Sequence, residues 1–86
     1  MIHYKEIINE VELDIHSYIG LNKSKLVFEI TPNGFQNCKL HLHRSTKTGK
    51  LIYSSMRLHN LSIPLEKGLD TDVYKKLLTQ LAKLIK

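Results

Sequence analysis

Two periodicities divide the chain. From residue 3 to residue 19 the apolar positions Tyr4, Ile7, Ile8, Val11, Ile15, Tyr18 and Ile19 recur at spacings of three, four and seven, which predicts one stripe of an amphipathic helix. Glu6, Glu10 and Asp14 fall four apart on another side, and Gly20 suits a C-cap before an exit loop at Asn22. Several β-branched residues lower the intrinsic helix propensity, so packing has to supply most of the stability. The period then changes to two. In residues 25–31, Leu26, Phe28 and Ile30 alternate with Lys25, Val27, Glu29 and Thr31, and Pro32-Asn33-Gly34 reads as a turn. In residues 37–44, Cys38, Leu40 and Leu42 alternate with Lys39, His41 and His43. Ser45 to Lys50 reads as a hairpin loop, with Gly49 at the left-handed position. Residues 51–58 put Ile52, Met56 and Leu58 on one face and Tyr53, Ser55 and Arg57, then His59, on the other. A connection over 59–69 holds Pro64, Gly68 and a short extended piece at Leu61–Leu65. Asp70 or Thr71 then caps a second helix with the stripe Tyr74, Leu77, Leu78, Leu81, Leu84 and Ile85, and Lys83 and Lys86 suit its last turn.

These elements predict a single α+β domain over residues 1–86: helix, three-stranded antiparallel sheet, helix (αβββα), with both helices on one sheet face and the other face open. The expected core is Leu26, Phe28, Ile30, Leu40, Leu42, Ile52 and Met56, beneath the stripes Ile8–Val11–Ile15 and Leu77–Leu81–Leu84. The hairpin is expected to pair Leu42 with Ile52, leaving 25–31 and 51–58 as edge strands open to a partner or to a second copy as a homodimer. The element order is similar to that of double-stranded RNA-binding domains. Asp70-Thr71-Asp72 nevertheless stands where those modules carry lysines, and Pro32-Asn33-Gly34-Phe35 does not match their loop signature.

Charge sharpens the picture of the open face. Between Ile30 and Leu65 there is no Asp or Glu, yet Lys39, Arg44, Lys47, Lys50 and Arg57 lie there with His41, His43 and His59. That stretch carries +5, residues 1–29 carry −2 and residues 66–86 carry +2, within a net charge of +5. A one-signed surface attracts the opposite sign. The single Cys38, the lack of an apolar leader and of any run of about 20 apolar residues point to a cytoplasmic protein with no membrane span. One Ala, Ala82, among many Ile, Leu, Lys and Asn reads as AT-rich coding, as in low-GC bacteria, their phages and plasmids.

The candidate chemistry is recognition rather than catalysis. His41 and His43 share a strand face, as two ligands of a metal site would, but a third ligand is out of reach, so no metal and no cofactor is expected. Glycine-rich phosphate loops, nucleophile signatures and dinucleotide fingerprints are absent from the sequence, so no enzyme is expected. The favoured partner is nucleic acid: Lys39, Arg44, Lys47, Lys50 and Arg57 would meet phosphates, and Tyr53, His41, His43 and His59 would offer rings. The alternative is a protein-binding accessory or inhibitor of a phage or mobile element, blocking an acidic host protein.

Overall fold

Residues 2–19 form a β-hairpin, not a helix. Ile2–Ile8 (β1) and Val11–Ile19 (β2) pair antiparallel with Ile8 opposite Val11. The turn residues Asn9 and Glu10 both take left-handed backbone, φ 50° and 68°, a two-residue turn whose twist matches that of the strands. A second period underlies the helical spacing. Val11, Leu13, Ile15, Ser17 and Ile19 alternate with Glu12, Asp14, His16 and Tyr18, and Leu13 and Ile15 are fully buried. The β-branched and aromatic residues that weaken a helix here favour a pleated, half-buried strand.

The computed structural model describes residues 1–35, 37–58, 61–65 and 71–85, and the backbone alone at 62–64 and 85. After the first hairpin come β3 (Lys25–Pro32), β4 (Cys38–Ser45), β5 (Leu51–Leu58), β6 (Leu61–Pro64) and one helix, α1 (Thr71–Ile85). The strands form one antiparallel sheet in chain order, β1-β2-β3-β4-β5-β6. The αβββα expectation is therefore overturned: one helix, not two, covers the sheet, and the element order behind the likeness to double-stranded RNA-binding domains is gone. The segments expected as edges, β3 and β5, are interior; the edges are β1 and β6.

The helix packs mainly against β4, then β3 and β1. Leu13, Ile15, Ile30, Leu40, Leu42, Met56, Tyr74 and Leu78 make the core with Cys38, and Phe28 packs against it half-buried. Ile52, expected in the core, is 38% exposed. Leu42 faces Ser54 rather than Ile52, and the register shifts between His43 and Arg44, so that the irregularity falls beside Ile52. The helix keeps only part of the expected stripe, with Leu81 packed against the core. Tyr74, Leu78 and Ala82 are buried, whereas Leu77 and Leu84 are 39% and 80% exposed. Polar contacts along one flank fit this roll toward β1. Lys75 Nζ, almost buried, donates to Glu6 Oε2 at 2.8 Å, and Asn9 Nδ2 donates to Thr79 Oγ1 at 3.4 Å. Asp72 in the first turn and Lys83 in the last suit the helix dipole.

Candidate functional site

The helix covers the sheet face bearing Leu13, Ile15, Ile30, Leu40 and Leu42, so strand alternation sends the intervening residues to the opposite face. The register aligns them in rows. Tyr18, Val27, His43 and Tyr53 lie directly opposite one another across β2 to β5; His3, His16, Glu29, His41 and Ser55 form the next row; Lys39 faces Arg57 farther along. Of the expected site residues, Lys39, His41, His43, Tyr53 and Arg57 thus share the open face. Lys47 and Lys50 sit in the β4–β5 turn at its end. His59 lies outside the described residues.

Arg44 is a correction. It falls opposite Leu26, on the helix side. Its Nη1 donates to the Gly49 carbonyl at 2.7 Å and its Nη2 to Thr71 Oγ1. It ties the β4–β5 turn to the start of α1, so its guanidinium is engaged within the fold.

Two cations missing from the expected site join it. Thr46 N donates to the Ser24 carbonyl and Thr46 Oγ1 to the Lys23 carbonyl, both at 3.0 Å. These bonds lash the β4–β5 turn to the β2–β3 turn, far apart in sequence. Lys23 and Lys25 thereby join Lys47 and Lys50 at one end of the sheet. Lys23 takes left-handed backbone at φ 58° and Gly49 at φ 71°, which closes each turn tightly. The signal was the second turn itself, but only pairing of β3 with β4 makes the two turns neighbours.

Charge differs across the face. On β1 and β2 the cations are answered. Lys5 Nζ lies 3.2 Å from Glu12 Oε1, and that hydrogen bond and attraction hold its pKa above the usual lysine value; His3 Nε2 lies 3.5 Å from Asp14 Oδ1. On β3 to β5, Glu29 is the one acid on the open face among the described residues, against Lys25, Lys39 and Arg57. Its Oε1 lies 3.9 Å from Lys39 Nζ and 3.8 Å from His41 Nδ1. Burial pushes the pKa of His41 below the ordinary histidine value; Glu29 opposes this, and Lys39 and Arg57 add to it. His43 is lowered by burial, then by Lys25 and His41. In both histidines burial is the leading cause, and the neighbouring cations add to it.

Ser55, His41 and Glu29 are residue types of an acyl-transfer triad, set side by side by the register. Ser55 is only 5% exposed, and a cavity of about 690 Å³ lies away from it, lined by residues that include Glu10, Glu12, Phe35 and Lys83. A nucleophile needs substrate access, and this one lacks it. Among the described residues no group of three His, Cys, Asp or Glu side chains is arranged to hold a metal, and no helix is long and apolar enough to cross a membrane. The chain matches no protein-family model, no curated protein and no solved structure.

Proposed function

We propose that the protein binds nucleic acid through the lysine-rich turn end and the adjoining β3–β5 half of the open face. The observation that carries this reading is the junction of the two turns, which sets Lys23, Lys25, Lys47 and Lys50 together at one end of the open face that carries Lys39 and Arg57 farther along. Cations so grouped replace condensed counterions when they meet phosphates, and the released ions drive binding. The test is anisotropy of labelled oligonucleotides over a salt series. Affinity should fall steeply and log-linearly with salt, by about one slope unit for each phosphate contact. Failure to bind at low salt would remove the reading.

A protein partner is the second reading, and β1 favours it. This edge strand of seven residues carries the exposed Ile2 and Ile7, whereas the other edge, β6, has four residues and ends in Pro64. An open, apolar edge can add a strand from a host protein or a second copy. Capture from a lysate that survives nuclease and moderate salt would favour this partner class over nucleic acid.

A further inference from the structure

The row Tyr18–Val27–His43–Tyr53 carries the proposed function further, because it distinguishes two forms of nucleic acid. Val27 stands on the open face of a central strand, where no described element packs, yet it is only 5% exposed. Its directly opposed neighbours on the two sides are Tyr18 and His43, both half-buried. The register thus sets an aromatic ring on each side of Val27. His43 meets Tyr53 at 5.2 Å between centroids and 69° between planes, and Tyr53 is 42% exposed. The row spans three interstrand steps, about 14 Å. Lys25 flanks it on the turn side, with Lys23, Lys47 and Lys50 beyond; Lys39 and Arg57 lie about two rows away on the other.

We infer that this row is a stacking shelf for single-stranded nucleic acid, with unstacked bases on Tyr18, His43 and Tyr53 and the backbone running between the turn lysines and the Lys39–Arg57 pair. This rests on the nucleic-acid reading above. A duplex keeps its bases stacked on one another and would offer the row only phosphates, whereas every unstacked base has a face to lay on a ring. The β1–β2 half, where Lys5 stands beside Glu12 and His3 beside Asp14, offers a phosphate backbone no unanswered positive charge, which keeps the path on β3–β5.

The experiment compares four labelled ligands of equal length by anisotropy: oligothymidylate, oligouridylate, an abasic strand and a duplex. Both base-bearing single strands share the chemistry of the shelf, and the tighter of the two tells DNA from RNA. The better single strand should bind at least about tenfold tighter than the abasic strand. Tyr53→Leu should lose about tenfold on it and nothing on the abasic strand, while Tyr53→Phe keeps the affinity. Tyr18→Leu should act the same way; should it unfold, Tyr53 carries the test, being exposed. Equal affinity for abasic and base-bearing strands, or preference for duplex, would overturn the shelf and leave the electrostatic reading standing. No binding of any ligand at low salt would overturn both.

Discussion

The two halves of the open face are built from the same residue types and end up electrically different. On β1–β2, Lys5 and His3 stand beside Glu12 and Asp14, and the surface answers its own charge. On β3–β5, Lys25, Lys39 and Arg57 have Glu29 alone between them, and two lashed turns add Lys23, Lys47 and Lys50. Net charge says little about such a molecule; what matters is which strands the register places side by side. A cation two strands from the nearest acid keeps its field, and one beside an acid does not.

The largest effect should come from the half whose sequence looked helical. Leu13→Ala should cost about 2–5 kcal/mol, because Leu13 is fully buried in the sheet core. Leu84→Ala should stay within about 0.5 kcal/mol, because Leu84 is 80% exposed. Urea unfolding of both variants checks this, and a Leu84 cost above that of Leu13 would restore the rejected helical stripe.

The contrast in charge is tested next. Lys47→Ala with Lys50→Ala should flatten the salt slope of oligonucleotide binding by about two units. Lys5→Ala, on the neutralised half, should leave the slope unchanged, since Lys5 serves Glu12. Equal losses from the two changes would mean that net charge alone drives binding. A smaller, opposite effect is expected at the hairpin of the neutral half. Glu10 holds φ 68° in a turn that favours glycine, so Glu10→Gly should raise stability by about 1 kcal/mol, read as a higher unfolding midpoint.

The same division governs what was legible in the sequence. The alternations of β3 and β4 and the side chains of their open face read correctly, because period two over six to eight residues admits one face assignment. The β1–β2 hairpin did not. Tyr4, Ile7, Ile8, Val11 and Ile15 fit a helical stripe, Leu13 breaks it, and Asn9-Glu10 is not the Asn-Gly or Asp-Gly pair that announces a two-residue turn. Arg44 was assigned by its charge; the register irregularity beside it and the helix start at Thr71, which decide its partners, are tertiary facts. Lys23 and Tyr18 joined the site only through pairing across β2, β3 and β4.

The smallest effect is a pH dependence of opposite sign in stability and in binding. The native state holds the pKa of His41 and His43 below the ordinary histidine value of 6.5, through burial and the nearby Lys25, Lys39 and Arg57, with Glu29 pulling His41 the other way. The unfolded chain takes up these protons first as pH falls. Their contribution to stability is therefore fully present above about pH 6.5, declines as pH drops through that value, and levels off below the native pKa values. His41→Gln with His43→Gln should remove this part of the decline, measured as unfolding midpoints between pH 7.5 and 5.5 on both proteins. A bound phosphate backbone reverses the balance, because its negative charge favours the imidazolium. Binding should then take up protons, and affinity at fixed salt should rise over the window in which stability falls. The double variant should lose this part of both trends, and a rise in affinity that survives it undiminished would place the titrating groups elsewhere than on the β4 face.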